Sequence, residues 1–326
     1  MIPNRAKRFQ FVDEAKPSAK WLAFYNEAKE SYKQWFLKEG ELNRPSFMSC
    51  KNALQEHMPE LVPYWEHLLV LSEADDIDAR LLSFYCPTPY ASGGSQAVWI
   101  RYNPVLVKNF DNAPALFEGR ILKSCWEQTQ VIASTDGLWG VLDGMNEHGL
   151  SVSWSFGGRS RTGKGFSMSI ILRYILEYCK TTEEAVAVLR RVPVNLTYNV
   201  TLLDANFNVK TVELSPFIAP VVSHIPLAVN HQGGFELSNY AMFSNSHERK
   251  QELIEKLYDP LVNIDSFISA FEYAPLFSTD YDHGLGTLYT GVYNPQLKAM
   301  EFRWPYYIKQ YQSFTHFEEK ELWITY

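Results

Sequence analysis

The clearest hydrophobic pattern lies near the start of the chain. Trp21, Tyr25, Ala28, Tyr32, Trp35 and Phe36 recur at spacings of three, four and seven, which predicts an amphipathic helix from Ser18 to Lys38 that Gly40 ends. Shorter helical patches follow at Ser49 to His57 and Pro59 to Leu71, and then the acidic stretch Glu73 to Asp78. The opening residues, MIPNRAKRFQFVDEAKP, only interleave charges with single apolar residues. Residues 1–93 therefore read as a helical prosegment or lid.

The texture changes at CPTPYASGG, residues 86–94, where two prolines and an adjacent glycine pair exclude both helix and strand. This run is the main boundary candidate, with a second unit over residues 94–326. SQAVWIR and VLVKNFD flank Tyr102-Asn103-Pro104 and predict a hairpin. Strand-like runs continue at Gln130 to Ala133, Leu138 to Leu142 and Leu150 to Phe156. Helices are expected over Phe166 to Cys179 and Glu183 to Arg191, the second capped by Thr181 or Thr182 with Glu184. Strands resume at Asn199 to Asp204, Val209 to Leu214 and Pro226 to Asn230. A polar helix over Ser246 to Tyr258 and a late hairpin, Thr287 to Tyr293 with Ala299 to Arg303, close the chain. This order predicts an α+β layered sandwich, not alternating βαβ units.

Composition narrows the function classes. With 46% hydrophobic residues the chain of 326 has ample core material, and a net charge of -7 leaves no basic surplus for nucleic acid. No stretch approaches the roughly 18 uncharged residues needed to span a bilayer, so a soluble cytoplasmic protein is expected. Four scattered cysteines, Cys50, Cys86, Cys125 and Cys179, make neither a disulfide scaffold nor a metal knuckle, and the eight histidines show no ligand spacing. No metal or organic cofactor is expected.

LVKNFD at 106–111 and GLWGVLDGMNEHGLSVSWSFGGR at 137–159 resemble the penicillin acyltransferase-like (acyl-CoA:6-aminopenicillanic acid acyltransferase, peptidase C45) branch of the N-terminal-nucleophile (Ntn) hydrolases, relatives of choloylglycine hydrolase and penicillin V acylase. LRYILEYCKTTEEAVAVLRRVPV, YNVTLLD, AVNHQ, SHERKQEL and GTLYTGVYNP continue the likeness in the family's order, roughly over residues 80–305. The resemblance implies a four-layer αββα sandwich and a precursor that cleaves itself, a zymogen activated by autoproteolysis. A freed α-amine then serves as base for its own side chain, which forms an acyl-enzyme with a small acyl amide or acyl thioester. Partners are thus small molecules, with neither nucleic acid nor membrane, and a homodimer is left open.

Family members carry a nucleophilic Cys just before a Ser-Gln-like pair. Here the pair is Ser95-Gln96 and the residue before it is Gly94. Three explanations stay open: Gly94 marks a lost cysteine, in which case the chain is an uncleaved, catalytically silent relative; Ser95 serves instead; or Cys86 serves, although Pro87 behind it points to an inert thiol. By the same resemblance Asp111 orients the α-amine and Asn109 supports its loop. Lys108 stands where an Arg binds substrate, keeping the charge but not the planar fork. Asn230 is the oxyanion donor, Phe156 and Gly157 offer backbone N–H groups to the oxyanion, and Arg249 reaches the site from its helix. Gly137 is a second place where relatives tend to have Cys.

Overall fold

A computed structural model of the chain describes residues 5–233 and 239–326. The chain opens on a strand, β1 (Ala6–Asp13), and not on a helix. Four helices follow: α1 (Ala19–Phe36), α2 (Phe47–His57), α3 (Val62–Leu71) and α4 (Asp76–Leu82). The acidic stretch has a local purpose. The Asp75 side chain accepts from the Asp78 N–H and Asp78 returns the bond, a capping box that starts α4.

After the 86–94 run come β2 (Gln96–Trp99), β3 (Val105–Asp111), β4 (Arg120–Cys125), β5 (Gln130–Asp136), β6 (Gly140–Asn146) and β7 (Ser151–Phe156). Two helices, α5 (Met168–Tyr178) and α6 (Thr182–Arg191), precede β8 (Tyr198–Leu203), β9 (Val209–Ser215), β10 (Ile218–Ser223) and β11 (Leu227–Ala228). The expected Thr181–Glu184 capping box starts α6. Then come α7 (Asn239–Phe243), α8 (Ser246–Tyr258) and α9 (Ile264–Ala270). Four strands finish the fold: β12 (Thr287–Asn294), β13 (Ala299–Trp304), β14 (Ile308–Ser313) and β15 (Lys320–Thr325). The expected closing hairpin, β12 and β13, is thus followed by two further strands.

Among the described residues the strands form two sheets. The larger runs β10-β9-β8-β7-β6-β5-β4-β1-β15 and the smaller β11-β2-β3-β12-β13-β14. Helices α5 and α6 lie on the larger sheet; Leu253 and Leu257 of α8 and Phe267 of α9 pack with Ala97, Trp99 and Val107 of the smaller. The apolar residues between the sheets belong to the main core cluster, where Val98, Leu106 and Phe110 of the smaller sheet meet Val152 and Val200 of the larger. This is the expected αββα sandwich.

The N-terminal residues are part of that architecture. β1 runs parallel to β4 and antiparallel to β15, and its alternate residues Phe9 and Phe11 are buried against Phe117, Tyr289 and Trp304. Trp21 on α1 donates its indole N–H to Leu138 O at 3.0 Å, and Trp139 donates to Leu82 O at 2.9 Å, fixing the helices to the larger sheet. No helix among the described residues is long and apolar enough to cross a membrane.

Candidate active site

The β2–β3 hairpin sets the geometry. Gln96 pairs with Lys108, and just before it Gly93 bridges Asp111 through two backbone bonds of 3.0 and 3.2 Å. Side chains alternate along β3. Lys108 points between the sheets, where its Nζ donates to Trp154 O at 2.5 Å. Asn109 and Asp111 point to the helical side: Asn109 donates to Phe271 O and Leu276 O, and Asp111 pairs with Arg249 of α8. Ser95 backs onto Asn109, whose N–H donates to Ser95 O at 2.8 Å. Alternation with Gln96 places Ser95 on that helical side. The candidate residues therefore divide over two faces of one sheet, Gly94 and Lys108 inside, Ser95, Asn109, Asp111 and Arg249 outside.

Position 94 excludes a side chain in this conformation. Its φ of +138° is one that L-residues rarely adopt, and a Cβ there would lie 2.0 Å from Asn109 O and 2.9 Å from Lys108 Nζ. The lysine amine fills the space that a cysteine would enter. Burial without a carboxylate partner in hydrogen-bond contact lowers its pKa to about 8, only partly offset by Asp143 and Asp111. Gly137 is likewise built as glycine: at φ +66° its Cβ would fall 2.4 Å from the Phe84 ring.

Asn230 clamps the junction. Its Oδ1 accepts the Gly94 N–H at 3.0 Å and its Nδ2 donates to Phe156 O at 3.1 Å. The Asn199 side chain donates to Val229 O at 2.7 Å and His231 O at 3.1 Å, so both neighbours of Asn230 are tied to β8. Two expectations need correction in this state. The Phe156 N–H donates to Ser92 O and the Gly157 N–H to Thr197 O, so neither is free for an oxyanion. The first is taken by the segment before Gly94, which runs alongside the end of β7, and the second by the residue just before β8.

Cys86 lies apart from this group. Its N–H donates to Gly165 O, its carbonyl accepts from Arg44, and burial pushes its thiol pKa up. Ser95 is buried and its Oγ has no hydrogen-bond partner. Arg249 is buried and also donates to Pro275 O at 3.1 Å.

Several contributors escape a sequence reading. Thr287 donates to Asp111 Oδ1 at 2.7 Å, and Thr290 to Asn109 Oδ1 at 2.7 Å. Tyr289 and Tyr293 both donate to Asp143, which is buried between the sheets near Lys108. Strict alternation puts Thr287 with Tyr289 on one face. A register shift between them against β3 sends Thr287 to Asp111 and Tyr289 to Asp143. Gln96 is a further interior anchor, donating to Asn199 O at 2.9 Å and to Ser155 at 3.2 Å.

Two facing sheets between helical layers are the αββα arrangement of the Ntn-hydrolase class, and the junction clamped by Asn230 and the buried Asp111–Arg249 pair lie on its smaller sheet. The family model described as Acyl-coenzyme A:6-aminopenicillanic acid acyl-transferase matches residues 100–307, and the chain belongs to that family of acyl-transferring enzymes. Solved structures similar to it include penicillin V acylase from Agrobacterium tumefaciens, at 16% identity over 68% of this chain and 86% of that one, with a TM-score of 0.45. A Caenorhabditis elegans ortholog of N-acylethanolamine-hydrolyzing acid amidase is similar at 17% identity over 62% and 93%, TM-score 0.47. A mutant conjugated bile acid hydrolase from Clostridium perfringens is similar at 13% identity over 70% and 96%, TM-score 0.44. No curated protein matches the sequence.

Proposed function

We propose that this chain is an amide hydrolase or N-acyltransferase for a small acyl amide or acyl thioester, in its uncut form, with Ser95 as the nucleophile. The single observation that carries the reading is the pair of adjacent environments at the junction. Position 94 excludes a side chain, whereas the buried Ser95 Oγ is unpartnered beside Gly94 and backs onto Asn109. In the first step Ser95 Oγ attacks the Gly94 carbonyl carbon, the peptide C–N bond breaks and its nitrogen takes the hydroxyl proton. The resulting ester is hydrolysed by water, leaving residues 1–94 with a carboxylate and Ser95 with a free α-amine. That amine then takes the hydroxyl proton when Oγ attacks the substrate carbonyl. The boundary between the two units then falls after Gly94.

A second reading is favoured by Lys108, whose amine fills the space beside Gly94: a family member that binds an acyl amide without turnover. One experiment separates the two. The purified chain and its Ser95→Ala variant are incubated and their intact masses compared. Cleavage before Ser95 in the parent and none in the variant supports the serine; an uncut parent that also lacks acyl-amide hydrolysis sinks the first reading and leaves the second.

A further inference from the structure

Apart from the junction, the chain holds a cavity of about 590 Å³ between α1, the 87–91 run, residues 115–118 and the larger sheet. That volume lies within the range of small-molecule sites. Its walls are largely aromatic: Phe24 and Trp35 of α1, Tyr90, whose ring meets that of Trp35 edge-on at 6.4 Å, and the buried Phe84 and Phe117. Gly94, Ser95, Lys108, Asp111, Asn230 and Arg249 do not line it.

Six charged side chains line it, Lys7, Arg8 and Lys38 against Glu27, Glu118 and Asp136. Four of them have their charge met or reduced. Arg8 and Glu27 pair with each other at 3.1 Å. Glu118 accepts from Tyr32 at 2.5 Å, from Thr135 at 2.6 Å and from the Leu138 N–H at 2.6 Å. Burial raises the Asp136 carboxyl to about 7, so near neutrality it carries only part of its charge. The two that remain are Lys38, exposed at the rim, and Lys7, half-buried; neither has a carboxylate of a described residue within 4.0 Å. By strand alternation Lys7 shares the inward face of β1 with Phe9 and Phe11, and its Nζ stands 5.9 Å from the centre of the Phe117 ring. The ammonium has no hydrogen-bond partner among the described residues, yet it is not sealed off and keeps accessible surface. Burial lowers its pKa, and Glu118 offsets that only in part. A desolvated cation without a counter-ion is costly, and a bound anion removes that cost.

We propose that this cavity is a binding site, separate from the acyl-transfer junction, for a small aryl monocarboxylate. The ligand's carboxylate accepts from Lys7 Nζ, and its ring lies among Phe24, Trp35, Tyr90 and Phe117. One unpaired interior cation matches one negative charge, while Glu118 and Asp136 in the same lining disfavour a dianion such as a phosphate ester. No bond is made or broken there. The inference does not depend on Ser95 being a nucleophile, because it concerns binding by the intact chain.

The test is calorimetric titration of the purified chain with 2-naphthoate, with 2-naphthylmethanol, 2-naphthylmethylamine and 2-naphthyl phosphate as neutral, cationic and dianionic counterparts of the same ring. None of the four carries an amide, so heat of amide turnover is not mistaken for binding. Saturable binding of 2-naphthoate, tighter than that of the other three, supports the site. Lys7→Met should weaken it roughly ten- to hundredfold, as expected for one lost hydrogen bond between charged groups, whereas Lys38→Met at the rim should leave it within about threefold. Ala28→Trp fills the cavity from the α1 side without touching Lys7, and should abolish binding while the circular dichroism spectrum is kept. Absence of saturable binding, unchanged affinity in Lys7→Met or Ala28→Trp, or tighter binding of any of the three counterparts overturns the proposal.

Discussion

Arg249 and Asp111 form an ion pair buried at 3% and 1% side-chain exposure, with Thr287 holding the carboxylate's other oxygen at 2.7 Å. A helix of the outer layer is thereby locked to the strand that carries the junction. Breaking a buried pair from one side leaves an uncompensated charge, which costs about 3–5 kcal/mol. Arg249→Met should therefore lower unfolding free energy in urea by that amount, and Arg249→Met combined with Asp111→Leu should recover a substantial part. Equal losses in the single and double variants would show that the charge pairing is not what matters.

Gly94→Cys tests the junction's backbone. Because the substituted Cβ meets Asn109 O at 2.0 Å and φ is +138°, the variant should be destabilised by about 1–3 kcal/mol, the usual cost of such strain, and should not be cut before residue 94. A variant as stable as the parent, or one that splits before residue 94, would mean that the junction rearranges to admit a thiol.

Lys108 gives a signature on the alkaline side. Its folded pKa of about 8 lies below the ordinary 10.5, so the unfolded chain holds the proton between those values. The burial penalty is complete below pH 8 and is relieved as pH rises toward 10.5. Relative to Lys108→Met, the parent should gain up to about 3 kcal/mol across that window. Urea titrations at pH 7.5 and 9.5 measure it; a constant difference between the two proteins would refute it.

Asp136 behaves oppositely. Burial, reinforced by Glu118, raises its carboxyl to about 7, so between pH 4 and 7 the folded state holds a proton that the unfolded state releases. Its contribution is fully present below pH 4 and is lost as pH rises through 7. Asp136→Asn should remove a few kcal/mol of that pH dependence, read from unfolding midpoints at pH 5 and 7.5. An unchanged slope in the variant would count against a protonated Asp136.

How far the chain could be read in advance differs by element. Helix α1 was legible from its apolar period and α6 from its capping box, and the β2–β3 hairpin because a turn separates two apolar runs. β1 was not legible, since its pairing partners lie more than a hundred residues away and its exposed face is charged. The acidic run 73–78 was read by charge, when its local capping bonds are what start α4. At the site, the resemblance located Asp111, Asn230 and Arg249. The side of the sheet each faces, the register shift at β12 and the strain at Gly94 exist only once strands are paired.

The place of β1 has a consequence for synthesis and turnover. Its neighbours are β4 and β15, so β1 is enclosed on both edges only when residues 320–325 have left the ribosome. Until then one edge of β1 lacks its partner, and a chain lacking residues 320–325 would leave that edge exposed to proteases. The same enclosure makes the first segment hard to discard: a nick anywhere in the 87–95 run would leave two pieces woven through one sheet.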